Sequence, residues 1–139
     1  MKKMQVKDIR NWITKNASVV REDAPIKEVA KEILKDPKTQ VVYVVNKNEK
    51  LVGLIPVTGI LQYLFYDYIP VEFITYSFPL ALTEDIRAKD IMLPSVYVKD
   101  NESVKEAFRI MFENKLMELP VVDSNMHVIG DLNTLELIE

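Results

Sequence analysis

The sequence contains no cysteine and only one histidine. Disulfides, thiol nucleophiles and cysteine-ligated metals are therefore excluded, and an imidazole base has no obvious nucleophile to activate. Glycine is nearly as scarce. The three present, Gly53, Gly59 and Gly130, form no phosphate-cradling loop. Neither sign of charge dominates: 18 basic against 21 acidic side chains leave a net charge of −3. Such a chain gains nothing from counterion release, so nucleic acid is not an expected partner. Long apolar runs are missing as well. Residues 51–66 are uncharged, but the run falls short of the roughly 20 residues of a spanning helix and is broken by Gly53, Pro56 and Gly59. The opening MKKMQVKDIRNW is charged where a secretory signal needs an apolar core. The expectation is a cytoplasmic protein with no membrane segment and no catalytic machinery.

What is present is ordinary for a folded domain, with 48% hydrophobic and 28% charged residues. At 139 residues the chain makes one compact domain, or two very small ones sharing a core. Its main feature is internal repetition. Val6-Lys7-Asp8-Ile9 returns as Ala88-Lys89-Asp90-Ile91, and Ile26-Lys27-Glu28-Val29 as Val104-Lys105-Glu106-Ala107. Val44-Val45-Asn46 returns as Val121-Val122-Asp123, and Leu51-Val52-Gly53-Leu54-Ile55 as Val128-Ile129-Gly130-Asp131-Leu132. These divide the chain into a first repeat over 1–64, a linker over 65–87 and a second repeat over 88–139.

Each repeat reads as strand, helix, strand, strand, helix. The opening extended pieces are Val19-Val20 and Val96-Tyr97-Val98. Asp23 and Asn101 are candidate caps for the helices that follow, with Pro25 suited to the first helical turn. Ile26, Val29, Ile33 and Leu34, and then Val104, Ala107, Phe108, Met111 and Phe112, recur at helical spacing. The uninterrupted apolar run Val41-Val42-Tyr43-Val44-Val45 predicts a strand buried on both faces. The linker holds half of the aromatics. Its beginning continues a helix capped by Thr58 and running toward Tyr68, until Pro70 ends it. Those aromatics serve either as core packing or as a contact surface for a partner. Trp12 is expected to pack the N-terminal segment onto the core, and His127 to be solvated beside a turn.

Leu119-Pro120-Val121-Val122-Asp123, a turn, then Val128-Ile129-Gly130-Asp131-Leu132 and a polar residue opening a helix resembles the CBS domain. Two tandem copies resemble a CBS pair, or Bateman module. The resemblance implies an α/β (α+β) fold of two repeats, each a small three-stranded sheet with helices, related by a pseudo-twofold axis. It also implies two equivalent clefts that commonly take AMP, ADP, ATP or S-adenosylmethionine as regulatory ligands, a face-to-face homodimer, and an effector protein that the module would control. In such clefts apolar side chains sandwich the adenine, and a carboxylate takes the ribose hydroxyls. Basic residues or a helix N-terminus hold phosphates.

The family supplies that carboxylate from a Gly-x-x-Ser/Thr-x-x-Asp pattern, from which both copies depart. The second reads Gly130-Asp131-Leu132-Asn133-Thr134-Leu135-Glu136, so Asn133 and Glu136 keep hydrogen-bonding oxygens. The first reads Gly53-Leu54-Ile55-Pro56-Val57-Thr58-Gly59, and Gly59 offers no carboxylate. The resemblance places Asn16, Ala17, Ser18, Lys38, Thr39, Gln40 and Val41 of the first repeat around the Glu136 cleft, with Lys38 near a phosphate. It places Met117 and Glu118 in the Gly59 cleft, where a carboxylate would repel phosphate. Asn133 and Glu136 also have the spacing of a capping box, which needs no ligand. Two functions follow: a ligand-sensing module with one competent cleft, or a protein-interaction and dimerisation module with degenerate clefts.

Overall fold

The computed structural model describes residues 4–12, 16–36, 38–65 and 86–138. The linker expectations beyond Phe65, including the helix toward Tyr68 and its end at Pro70, lie outside the described residues.

The first repeat holds strands β1 (Val19–Arg21), β2 (Val41–Val45) and β3 (Leu51–Pro56), with helices α2 (Ile26–Lys35) and α3 (Val57–Leu64). It is preceded by a short helix α1 (Val6–Ile9). The second repeat follows the same plan, with α4 (Ala88–Ile91), β4 (Leu93–Pro94), α5 (Val104–Asn114), β5 (Glu118–Val122), β6 (Val128–Asn133) and α6 (Thr134–Ile138). The mixed α/β architecture is the one expected, but the strands are shared out unequally. The first sheet has four strands in the order β1-β2-β3-β4, the last contributed by the chain entering the second repeat. The second sheet has two, β5 and β6. Of the expected strand at Val96-Tyr97-Val98, only a single parallel bridge from Val98 to Val121 is formed.

β2 is buried along its whole length. Its alternate residues serve different cores, because successive strand side chains point to opposite faces. Val42 and Val44 join Val20, Val29, Ile55 and Ile60 beneath α2 and α3. Val41 and Tyr43 join Leu54 in the core that continues into the second repeat through Leu119, Val121 and Leu132.

The lead-in helices are exchanged. Val6 and Ile9 of α1 are buried in the core that contains second-repeat residues Ala107 and Met111. Val6 donates its backbone N–H to the Glu102 carbonyl (2.8 Å), and Lys7 to that of Asp100 (3.1 Å). Reciprocally, Ala88 and Ile91 of α4 are buried among first-repeat residues, and Ala88 and Lys89 donate to Ala24 (2.8 Å) and Glu22 (2.9 Å). The Val-x-x-Ile and Ala-x-x-Ile spacing is thus the inner face of one helical turn. Asp8 and Asp90 turn back to accept the N–H of Gln5 and Arg87 (2.9 and 2.8 Å). The two repeats therefore share their cores.

The helix starts differ from the expected caps. Pro25, not Asp23, stands at the N-cap of α2, because its fixed φ already sets the entry and it has no N–H to satisfy. Ser103, not Asn101, caps α5, its hydroxyl accepting the Glu106 N–H at 3.1 Å. α3 starts after Pro56, so Thr58 lies inside it. Of the expected apolar stripes, Val29, Ala107 and Met111 are buried, while Leu34, Phe108 and Phe112 are exposed. Trp12 is 52% exposed and does not join the core as expected.

Candidate functional site

By register, Val41 pairs with Pro56 and Tyr43 with Leu54, while Glu118 pairs with Asn133 and Pro120 with Asp131. The same four places of the repeat are thus filled differently. The first repeat offers Val41, Tyr43, Leu54 and Pro56; the second offers Glu118, Pro120, Asp131 and Asn133. Alternation places each set on one face of its sheet.

These two faces are joined by hydrogen bonds. Glu118 Oε1 accepts the backbone N–H groups of Gln40 (2.8 Å) and Val41 (2.9 Å). The Tyr43 hydroxyl donates to Asp131 Oδ1. Asn133 Nδ2 donates to the Lys38 carbonyl at 3.2 Å. Glu118 and Glu136 are each 1% exposed and Asp131 is fully buried. Burial, the hydrogen bond shared with Glu118 and the Glu118 charge push the Asp131 carboxyl up to about 10. Burial and then the neighbouring Asp131 and Glu118 charges raise the Tyr43 hydroxyl well above its ordinary range. Glu118 does not project into an open Gly59 cleft as expected. Its carboxylate is drawn across to the first repeat because two backbone N–H groups there need an acceptor.

Asn133 and Glu136 are brought together as a capping box. The Asn133 backbone N–H reaches Glu136 Oε1 at 2.8 Å, and Asn133 Oδ1 accepts the Leu135 N–H at 2.9 Å. Ser18 and Thr39 are also joined, their hydroxyls 2.9 Å apart and both side chains buried. Lys38 and Gln40 are exposed and Val41 is buried. Asn16 and Ala17, with Val19, line one side of a cavity of about 410 Å³ whose other side is Val128, Ile129 and Gly130, with Arg10 and Asn11 at its edge. This cavity lies between first-repeat and second-repeat strands. Arg10 is held there by Asp100, with Nε to Oδ1 at 2.6 Å and Nη2 to Oδ2 at 3.3 Å.

Arg10, Asn11 and the Tyr43-Asp131-Glu118 bridge were not among the expected site residues. A signal for the bridge was present: two carboxylates stand where the other copy has the buried apolar residues Val41 and Leu54. Arg10 gave no such signal, since its equivalent in the second repeat is Met92, and only the exchange of lead-in helices brings it to the cavity.

A duplicated unit with shared cores, exchanged lead-in helices and a cavity between its halves is a tandem-repeat architecture. The CBS domain family matches residues 6–66 and 88–139, and the chain belongs to it. A CBS domain-containing protein from Thermotoga maritima is 38% identical, with a TM-score of 0.84 over 99% of this chain and 94% of that one. The CBS domain pair of protein MJ0100, solved in complex with 5′-methylthioadenosine and S-adenosyl-L-methionine, is 22% identical, with a TM-score of 0.74 over 99% and 94% of the two chains. A CBS domain protein from Pyrobaculum aerophilum, complexed with AMP, is 19% identical, with a TM-score of 0.75 over 96% and 90%. No curated protein matches the chain in sequence. Among the described residues, no helix is long and apolar enough to cross a membrane, and no cluster of side chains could hold a metal ion.

Proposed function

We propose that this CBS pair is a cytoplasmic regulatory module that binds one adenosine-containing ligand, of the class AMP, ADP, ATP or S-adenosylmethionine, between its repeats. The observation that carries the reading is the cavity of about 410 Å³ bounded by Asn16 and Ala17 from one repeat and Val128 to Gly130 from the other. Its size suits a small ligand, for which clefts of about 300–1,000 Å³ are usual. Apolar Val19, Val128 and Ile129 suit a base, and Arg10 and Asn11 supply polar groups at its margin. Two structurally similar CBS proteins hold adenosine compounds, which supports the ligand class.

The module catalyses nothing in this reading. It passes occupancy to an effector protein or to a second copy of itself, because a ligand contacting both repeats at once changes how they sit together. A second reading, an interaction module with degenerate clefts, draws on Pro56 and Gly59 in the first copy and on the capping role of Glu136.

The two readings separate in thermal unfolding. A ligand that binds only the native state stabilises it by about 2.7 kcal/mol at a hundred-fold excess over Kd. For a domain near this size each kcal/mol is worth roughly 2–8 °C. At least one of AMP, ADP, ATP and S-adenosylmethionine at millimolar concentration should therefore raise the midpoint by several degrees. An unchanged midpoint with all four would leave the interaction reading in possession.

A further inference from the structure

The contact between the repeats contains a feature that nucleotide sensing does not use. Two carboxyl groups, Glu118 and Asp131, are buried side by side at 1% and 0% exposure. Each is tied to the first repeat: Glu118 to the backbone N–H groups of Gln40 and Val41, Asp131 to the Tyr43 hydroxyl. Among the described residues, Asp131 Oδ2 is buried with no N–H or O–H donor directed at it. An ionised carboxylate only accepts hydrogen bonds, and two adjacent buried carboxylates cannot both ionise without strong repulsion. A proton on Asp131 removes both difficulties, because the orphan oxygen becomes a donor toward Glu118.

We propose that Asp131 carries a proton directed at the Glu118 carboxylate, forming a proton-operated latch on the β5–β6 face that meets the first repeat, closed while the proton is held and weakened when it leaves. The groups facing Asp131 agree. Glu118 on β5 and Glu136 on α6 disfavour its charge, while the Tyr43 hydroxyl on β2 partly favours it. Arg10, on the lead-in segment nearby, is engaged by Asp100 instead. Burial is the largest influence, and together these hold the Asp131 carboxyl protonated up to about pH 10.

An unfolded aspartate titrates near about 3.9. Between that pH and about 10 the folded state keeps a proton that the unfolded state has lost. The latch therefore contributes fully below about pH 4, and its contribution falls as pH rises through neutrality toward 10. When the proton finally leaves, Asp131 and Glu118 face each other as like charges between β6 and β5 at the surface that meets the first repeat, a repulsion that the Tyr43 hydroxyl offsets only in part.

The test needs no ligand, so its outcome is independent of the nucleotide reading. Urea unfolding is measured from pH 5.5 to 8.5 for the wild type and for Asp131→Asn. The variant has the same shape and an amide that donates to Glu118 at every pH. The folding constant of the wild type should fall relative to the variant by up to ten-fold per pH unit, one proton's worth of linkage. Parallel pH dependences of the two proteins would overturn the latch. Should the variant not fold, the side-chain carboxyl carbon of Asp131 is followed by NMR in the wild type. A protonated signal at pH 7 supports the proposal, and an ionised one overturns it.

Discussion

Gly53 and Gly130 occupy the same place in the two repeats, and each lies where the other repeat's lead-in segment crosses. A Cβ on Gly53 would stand 2.7 Å from Met92 Cγ and 2.9 Å from the Leu93 carbonyl oxygen. On Gly130 it would meet Arg10 Nη1 at 2.5 Å and Asn11 Oδ1 at 2.6 Å. The two sites differ in how they can yield. The atoms over Gly130 end flexible side chains, whereas Leu93 O is backbone and belongs to β4, paired with β3 through Gly53 and Pro94. Overpacking of this kind costs about 1–3 kcal/mol. Gly53→Ala should therefore lower the stability measured in urea by that amount, and Gly130→Ala by less. Equal losses would show that the backbone at Leu93 gives as readily as the side chains of Arg10 and Asn11. The glycines were visible in the sequence as markers of the repeat, but their reason was not, since it depends on a chain segment about 40 residues away from one and about 120 from the other.

At the scale of the elements, the alternation of β2 and the helical stripes could be read directly, because burial follows the period of the backbone. Cap positions could not. Asp23 and Asn101 have suitable side chains, yet Pro25 and Ser103 set the helix starts. Several polar residues compete at each start, and the winner is decided by where the preceding strand delivers the chain. The exchange of α1 and α4 was illegible for a related reason. Two lead-in segments of similar sequence fit either repeat, and only tertiary packing chooses. Of the candidate ligand residues, Ser18 with Thr39 and Asn133 with Glu136 and Lys38 are drawn together. Asn16 and Ala17 form the cavity wall with Arg10 and Asn11, which sequence reasoning did not select. The buried carboxyl bridge is hidden in the sequence because the family resemblance places Glu118 in an open cleft. Its neighbours across the repeat boundary, the N–H groups of Gln40 and Val41, appear only in three dimensions.

At the scale of the whole molecule, two helices carry apolar groups that the described fold does not cover. Phe108 and Phe112 stack on α5 with ring centroids 6.0 Å apart, and Phe112 is 74% exposed. Leu34 on α2, the equivalent helix of the first repeat, is exposed to a similar degree. A second copy is the proposed cover, and a stable obligate interface would bury about 2,000 Å² or more. Light scattering on a size-exclusion column should then return twice the 16.1 kDa chain mass at micromolar concentration, and Phe112→Asp should shift it toward the monomer. A monomeric wild type would show that these rings serve another partner.

The proposed site holds one adenosine ligand per chain, in the cavity between Asn16 and Ala17 of the first repeat and Val128 to Gly130 of the second. Calorimetric titration measures this most directly. A wild-type stoichiometry of one ligand per chain is expected. In Ala17→Trp, which fills the cavity from its wall, the affinity should fall ten-fold or more, a loss of about 1.4 kcal/mol. Two equal sites per chain, or an affinity untouched by Ala17→Trp, would contradict the account.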